Sequence, residues 1–425
     1  MKLVCTPVKD LLPEWTPTTV PVLLYGRTDE KKIVSVGAAV QEELTRKRLS
    51  ISHDSWDLLS LALSVIAGDS VVLKSKSPDG WTREIELEVA VHNPDRLTAQ
   101  KPLIEQLLRF LTTDIWKLRF TATNYEHPIP AEVLFPVETS VALLSGGMDS
   151  LVGAIDLVAD GTRPLVVSQI VTGDAEKQTQ FAAAIGGGLQ HLQLNHNVAW
   201  SGSNDLNQRA RSFIFLAYGI VAATTLQAYR DGASITLYVS ENGLISINPP
   251  LTDARLGSLS TRTTHPVFLA LMQQLLDALG IRVRLFNPYQ FATKGEMLAN
   301  CRDQTYLKQH AHLATSCGRY RRMGFKHCGR CVPCLIRRAA FHRWPQTDNT
   351  TYVYTDLGRD DSAYSGFDDV RSAAMAVAVS EDEGIEVLLG ASLASKHIRE
   401  PASYIAVAER GIHELGAFLR VSGVK

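Results

Sequence analysis

The sequence has few cysteines and a net charge close to zero, and it lacks any long apolar run. Six cysteines in 425 residues are too few for a disulfide scaffold. The formal net charge of −1 does not suggest a protein that binds nucleic acid, because such proteins usually carry a basic excess. No apolar stretch reaches about 18 residues, and the first residues show no signal-peptide core. We therefore expect a cytoplasmic protein with no membrane span.

Length and composition predict a globular chain with more than one domain. Hydrophobic residues make up 45% of the chain and charged residues 20%, which allows a sizeable core. A length of 425 residues suggests two or three domains. The residue patterns divide the chain into a small α+β domain of unknown role at 1–135, an α/β domain at 138–342 and a helical C-terminal extension at 345–425.

The first of these parts alternates short strand-like runs with helical patterns. Apolar and β-branched runs predict strands over 20–26, 32–37, 70–74, 83–91 and 116–121, and helical patterns begin at Ser52 and Pro102. No catalytic motif is found there. Prolines at 128, 130 and 136 predict a stiff linker to the next part.

From about residue 138 the pattern repeats strand, turn and helix. We predict strands over 139–144, 165–171, 190–194, 235–240 and 281–286, and helices near 149–159, 175–185, 211–230, 266–279 and 294–302. Such alternation indicates a doubly wound, mostly parallel sheet with its ligand beyond the carboxyl ends of the strands. In the last part, helices are predicted over 367–379 and 401–421.

Residues 141–150 read Val-Ala-Leu-Leu-Ser-Gly-Gly-Met-Asp-Ser, which is an apolar strand, a two-glycine turn and a helix start. The glycines let the backbone approach a ligand closely. Ser145 and Ser150 offer hydroxyls beside the unpaired N–H groups of the helix start, which together suit phosphate. The alternative is a plain turn with Asp149 as a helix cap. No G-x-x-x-x-G-K-[ST] motif is present, so this is not a Walker-type site.

Four of the six cysteines cluster near the end of this part, at Cys317, Cys328, Cys331 and Cys334. Four thiolates can surround one Zn²⁺ and close the site to chemistry. A redox-active pair, an iron–sulfur cluster and free cysteines are the alternatives. Cys5 and Cys301 lie outside the cluster. Basic residues surround it, and we expect them to face a nucleotide or solvent: Arg319, Arg321, Arg322, Lys326, Arg330, Arg337 and Arg338.

The string Ser-Gly-Gly-Met-Asp-Ser matches the PP-loop signature S-G-G-x-D-S of the ATP pyrophosphatases at every fixed position. With the cysteine cluster downstream, residues 138–342 resemble QueC, the 7-cyano-7-deazaguanine synthase family. The resemblance implies a PP-loop fold (adenine nucleotide alpha hydrolase-like), ATP cleavage at the α-phosphate and a structural Zn²⁺. It also implies that the loop holds the pyrophosphate of ATP and that Asp149 helps to place Mg²⁺. The loop residues are Ser145, Gly146, Gly147, Met148, Asp149 and Ser150.

Two more segments share in this resemblance, and one departs from it. Arg211 lies in a stretch similar to the family's Arg-Asn-x-x-Phe-Leu, with Ser212 in place of the asparagine, and is a candidate phosphate or substrate contact. An exposed helix arginine is the alternative. Lys294 lies in a stretch similar to the family's Lys-x-Glu and is a candidate catalytic residue; Thr293 and Glu296 of the same stretch also form a capping box. The family's Tyr-Pro-Asp-Cys segment is not evident; the region from 240 to 265 is a polar loop instead.

The resemblance implies a ligase that forms AMP and pyrophosphate while joining carbon to nitrogen. Its substrate would be a 7-carboxy-7-deazaguanine-like carboxylate, adenylated and then attacked by an amine. The added segments also resemble the Qat-type branch in anti-phage defence, in which a partner protein could supply the amine. The alternatives are nitrile synthesis for queuosine, a PP-loop enzyme of tRNA modification, and an assembly subunit that only binds nucleotide. The sequence does not give the acceptor, the exact base or the oligomeric state.

Overall fold

In a computed structural model that describes residues 1–205, 209–251, 262–358 and 369–424, the chain has an α/β architecture. The described strands form two sheets of five, and every pairing in both sheets is parallel. The strands are β1 (Lys2–Thr6), β2 (Thr19–Leu24), β3 (Val34–Val36), β4 (Glu84–Val91), β5 (Ile115–Ala122), β6 (Ser140–Leu143), β7 (Leu165–Gln169), β8 (His191–Leu194), β9 (Ile235–Tyr238) and β10 (Val283–Phe286).

Helices cover both sheets and continue into the C-terminal part. They are α1 (Ala38–Arg46), α2 (His53–Val71), α3 (Pro94–Ala99), α4 (Lys101–Thr112), α5 (Met148–Ala159), α6 (Ala175–Ala184), α7 (Arg211–Thr225), α8 (Gln227–Arg230), α9 (Gly243–Ile247), α10 (Pro266–Ala278), α11 (Lys294–Asn300), α12 (Gln304–His310), α13 (Val332–Arg343), α14 (Asp369–Glu383), α15 (Ile385–Leu389) and α16 (Pro401–Val421). Among the described residues, no helix has both the length and the apolar character needed to cross a bilayer.

The N-terminal sheet differs from the α+β expectation. Its strand order is β3-β2-β1-β4-β5 with all neighbours parallel. Helices α1 and α2 lie between β3 and β4, and helices α3 and α4 lie between β4 and β5, as in an α/β unit. The central strand β1 was not predicted, because five residues at the chain start give too little periodicity. The predicted strand over 70–74 is wrong, since α2 continues to Val71 and a 3₁₀ turn follows. The helix start at Ser52 is confirmed: its side chain accepts a hydrogen bond from Ser55 N.

The second sheet has the order β10-β9-β6-β7-β8, and its five strands lie where the sequence predicts them. From β6 the chain winds outwards to β7 and β8, then returns to the other side of β6 for β9 and β10. The direction of winding therefore reverses between β6 and β9. In open parallel sheets, ligands bind beyond the carboxyl ends of the strands at such a point.

One helix packs against both units. Residues 55–71 of α2 are all buried, because α2 lies against the N-terminal sheet on one side and against α7 on the other. Ser55 Oγ lies 2.9 Å from Thr224 Oγ1 on α7. A single cluster of buried apolar side chains runs through both sheets. The two halves therefore share one hydrophobic core.

A buried ion cluster also joins the two halves. The fully buried guanidinium of Arg83 lies 2.5 Å from carboxylate oxygens of both Asp69 and Asp114. Asp69 Oδ2 accepts a hydrogen bond from the main-chain N–H of Ala210, at the start of α7. Each buried charge thus has an opposite charge beside it, as burial of ions requires. The cluster fixes the chain just before Arg211.

The C-terminal helices pack onto the second sheet's helices. The predicted helix over 401–421 is confirmed as α16, which contacts α9, α11 and α13. The other predicted helix begins at Asp369 in the described chain, and residues 367 and 368 lie outside it.

Candidate functional site

The predicted phosphate loop follows the central strand β6 and leads into α5. Gly146 has a φ of 86°, a left-handed value that favours glycine. The hydroxyls of Ser145 and Ser150 lie 3.0 Å apart, and Ser145 Oγ accepts a hydrogen bond from Gly147 N. These contacts fold the loop around the positive end of α5, whose first N–H groups have no carbonyl of their own helix to bond. The Met148 side chain is buried in the core, so only its backbone can meet a ligand.

Asp149 lies in the first turn of α5, and three groups from distant parts of the chain contact it. Lys294 Nζ forms an ion pair with Oδ1 of Asp149. Oδ2 accepts hydrogen bonds from the main-chain N–H and the side-chain amide of Asn242, at 3.0 and 2.7 Å. The structure therefore brings together two of the predicted residues, Asp149 and Lys294. Asn242 was not singled out by the sequence, although it lies in the polar segment after β9.

Glu241 completes this cluster beside the point where the winding reverses. Burial and the neighbouring Asp149 carboxylate raise the pKa of Glu241 well above its usual value. Burial alone would raise the pKa of Asp149 too, but the Lys294 ammonium and hydrogen bonds from Glu241 and Asn242 hold it below its usual range. The raised pKa of Glu241 favours its protonated form beside the ion pair of Asp149 and Lys294.

Arg211 is the first residue of α7. Its Nε donates to Oε1 of Gln169, at the carboxyl end of β7, over 3.0 Å. Gln178 Nε2 donates to the main-chain oxygens of both Gln169 and Ser145, at 3.0 Å each. The structure thus links Arg211 to the loop through two glutamines rather than by direct contact.

A polar cleft of about 470 Å³ opens beyond the ends of β7 and β8. Volumes of about 300–1,000 Å³ are typical of sites for small molecules. Arg211 lines it together with amide side chains, with Ser70 from α2 and with Arg321 from the cysteine-rich segment. Burial and the charge of Arg211 lower the pKa of His196, another lining residue, to about 4. That imidazole is neutral at pH 7 and can bind a ligand by hydrogen bonds.

Asp174 is a second carboxylate at the loop that sequence reasoning missed. A Cβ placed on Gly146 would lie 3.4 Å from the Cβ of Asp174. Asp174 Oδ1 is buried and accepts no hydrogen bond from the residues that the structure describes, while Lys177 Nζ lies 3.9 Å away. Asp174 follows β7, the neighbour of β6, so the rule that ligands sit at strand ends could have indicated it.

Carboxylates Asp149 and Asp174 fit a Mg²⁺ ion, which prefers oxygen ligands. The orphaned oxygen of Asp174 lacks a positive partner at hydrogen-bonding distance. Asp149 is engaged on both oxygens, yet each carboxylate oxygen can accept more than one contact. A divalent cation beside Gly146 would give the buried oxygen of Asp174 a positive partner.

The four predicted cysteines come together, and their sulfur atoms all lie within 4.8 Å of one another. Two Sγ–Sγ distances, Cys317 to Cys331 and Cys328 to Cys334, are 3.9 Å. A tetrahedral site with Zn–S bonds of about 2.3 Å has edges of about 3.8 Å. The spacing thus fits four thiolates around one zinc ion and is too long for a disulfide. This cluster could hold a metal such as zinc.

The cysteine cluster is connected to the phosphate loop. Thr315, two residues before Cys317, donates its N–H to the carbonyl of Gly146 at 2.9 Å. Lys177 Nζ donates to Thr315 Oγ1 and to Tyr320 OH, at 2.8 and 2.6 Å. The segment that the cysteines organise therefore forms one side of the loop.

The basic residues around the cysteines do not all face outward as expected. Arg337 is fully buried and donates to the main-chain oxygens of Ala311 and Ala314. Arg330 is also buried and donates to the carbonyl of Asp356. Both guanidiniums hold chain segments together, so the expectation that they face nucleotide or solvent is wrong. This leaves less positive surface for nucleic acid than the sequence suggests.

The chain matches no protein-family model and no curated protein sequence. The predicted resemblance to QueC rests on the loop signature, the cysteine spacing and the two short stretches around Arg211 and Lys294, and it stays a prediction. The region from 252 to 261 of the predicted polar loop lies outside the described residues.

Proposed function

We propose that this chain is a QueC-like PP-loop ATP pyrophosphatase that joins a carboxylate to an amine at the expense of ATP. The observation that carries the proposal is the Ser145–Ser150 loop. It follows the central strand of a parallel sheet, carries a left-handed glycine, and brings the Ser145 and Ser150 hydroxyls within 3.0 Å of each other at the start of α5. That arrangement suits the two terminal phosphates of ATP.

The reaction has two steps. A carboxylate oxygen of the substrate attacks the α-phosphorus, and pyrophosphate leaves to the loop. The amine nitrogen then attacks the acyl carbon, gives up one proton and displaces AMP. Loop N–H groups and the Ser145 and Ser150 hydroxyls would stabilise the charge on pyrophosphate as it forms. Mg²⁺, when bound at Asp149 and Asp174, would neutralise phosphate charge.

A 7-deazaguanine-type ring is the proposed carrier of the carboxylate. The cleft beside the loop offers amides that can both donate and accept, among them Gln169, Asn195 and Asn197. Arg211 and Arg321 add positive charge for an anionic group. A heterocycle with mixed donors and acceptors and one carboxylate fits that lining.

We further propose that the amine belongs to a partner protein, as in a Qat-type system of anti-phage defence. The support is that the N-terminal unit contributes to the cleft through Ser70, so the substrate region is bordered by a part of the chain that compact relatives lack. The cysteine cluster would serve structure in this reaction. Its thiols are buried and face one another, which leaves none of them to attack a substrate.

The test is product analysis by mass spectrometry with ATP, Mg²⁺, 7-carboxy-7-deazaguanine and either ammonia or candidate protein amines. We expect AMP and pyrophosphate in equal amounts, together with an amide adduct on the amine. Formation of ADP and inorganic phosphate, or no ATP cleavage with any acceptor, would refute the proposal. A nitrile formed from ammonia would instead assign the chain to nitrile synthesis for queuosine. Adenylated or modified tRNA would assign it to tRNA modification.

A further inference from the structure

The C-terminal helix α16 contacts both elements that hold Asp149. One is α9, whose N-cap residue is Asn242, and the other is α11, which begins with Lys294. A Cβ on Gly243 would lie 2.8 Å from Cγ1 of Val407, and one on Gly411 would lie 2.9 Å from Leu244. Each helix therefore has a glycine against which a side chain of the other helix packs closely.

Two side chains of α16, one turn apart, bind the first turn of α11. Glu414 Oε1 accepts from the Thr293 hydroxyl over 2.5 Å, and Oε2 accepts from Gly295 N over 3.3 Å. Arg410 Nε donates to Glu296 Oε1 over 2.7 Å, so it holds the glutamate of the capping box. These contacts lie on both sides of Lys294 in the chain.

The fit between the two helices is close at Gly295. A Cβ there would lie 2.7 Å from Oε2 of Glu414 and 2.6 Å from Cγ of Arg343. Arg343 Nε in turn lies 3.5 Å from Glu414 Oε1. The Glu414 side chain is only 10% exposed, so solvent does not replace these contacts. Burial raises the pKa of Glu414. Loss of the donors from Thr293 and Gly295 would leave buried carboxyl oxygens without hydrogen-bond partners, which is costly.

We infer that Glu414 is a positioning residue, which holds the start of α11 so that the Lys294 ammonium stays against Asp149. The C-terminal extension is then part of the proposed ATP site's support. The catalytic role of this contact rests on the proposed function. The position of Lys294, however, can be measured without any cleavage of ATP.

The experiment compares the rate at which an amine-reactive acylating reagent modifies Lys294 in full-length wild-type protein and in variants, followed by peptide mass spectrometry. Lys294 and Lys74 are each 8% exposed, so Lys74 reports general opening of the fold. In Glu414→Ala we expect Lys294 to react about tenfold faster, the factor for one lost hydrogen bond to a charged group. Lys74 should keep its wild-type rate.

Two further variants test the mechanism. Glu414→Gln keeps an acceptor for Gly295 N and a donor for the Thr293 oxygen, so its Lys294 rate should stay within about twofold of wild type. Glu409→Ala removes an exposed carboxylate from the same helix and should change nothing. An unchanged Lys294 rate in Glu414→Ala, equal acceleration of Lys74, or a Gln variant as fast as the Ala variant would each overturn the inference.

Catalysis supplies a separate readout. If the wild-type protein cleaves ATP to AMP, Glu414→Ala should lower kcat more than it raises KM for ATP, with recovery in Glu414→Gln. A wild-type protein that never cleaves ATP would refute the proposed function, while the labelling rates would still decide the role of Glu414.

Discussion

Lys294 and Asp149, 145 residues apart in the chain, form a buried ion pair that joins the start of α11 to the first turn of α5. Removal of one partner leaves an uncompensated buried charge. We therefore expect Lys294→Met to lower the free energy of unfolding by about 3–5 kcal/mol. Asp149→Asn combined with Lys294→Met should cost less than the sum of the single changes. Urea unfolding of the four proteins measures this, and strictly additive losses would contradict the pairing.

Gly146 allows a test of the phosphate loop with a matched control. Gly146→Ala places a Cβ at a φ of 86°, beside Asp174 and Gln178. Gly161, just after the other end of α5, has a similar φ of 82°, and a Cβ added there would have no atom within 4 Å. Gly161→Ala is therefore the control. Both should lose about 1–2 kcal/mol of stability from backbone strain. Only Gly146→Ala should also lose ATP affinity, by about tenfold or more in calorimetry. Equal ATP affinity in the two variants would speak against the loop as the phosphate site.

The cysteine cluster predicts a tightly bound metal. Metal analysis should find about one zinc ion per chain in the wild-type protein and in Cys301→Ser, whose thiol is buried outside the cluster. Cys334→Ser should lose the metal and melt at a lower temperature. It should also be cleaved faster by trypsin at the exposed Arg321 and Arg322. Retention of the metal in Cys334→Ser would exclude a four-thiolate site.

His127 predicts how stability depends on pH. Its ring stacks on Trp56 at 3.8 Å, and burial, with the charges of His92 and His53, lowers its pKa from 6.5 to about 3. At a pH between these two pKa values, His127 is protonated in the unfolded chain but not in the folded chain. The free energy of unfolding therefore falls as the pH drops below about 6.5.

His127→Gln removes the imidazole that binds a proton in the unfolded chain but not in the folded chain over this pH range. The variant should lose less stability than the wild-type protein between pH 7 and pH 5, measured by urea unfolding at each pH. His413→Gln, at an exposed position of α16, should keep the wild-type slope. A steeper slope in the His127 variant would contradict the burial of a neutral imidazole.

Periodicity was a good guide where strands and helices are long and regular. The second sheet and α16 follow it closely, because buried parallel strands need continuous apolar runs. It failed at β1, which is too short to show a period. It also failed at the end of α2, which is buried on all sides because both units cover it.

The sequence predicted the site residues that lie in recognisable motifs. The loop residues and the four cysteines are close in sequence, so their spacing identifies them. Asp174, Glu241, Asn242 and Glu414 reach the site from separate strand ends or from α16, and no local pattern relates them to Asp149. Arg330 and Arg337 misled because charge alone does not tell a buried guanidinium from a solvated one.

Because both halves of the protein cover α2, its burial determines what happens when a protease cleaves the segment that connects them. The connecting segment carries exposed residues such as Ile129 and Val137, so a protease can reach it. The fragments would nevertheless remain associated, because separating them uncovers the side of α2 that packs against α7. Expression of either half alone should give an insoluble product. Co-expression of the two halves should give a soluble complex of both.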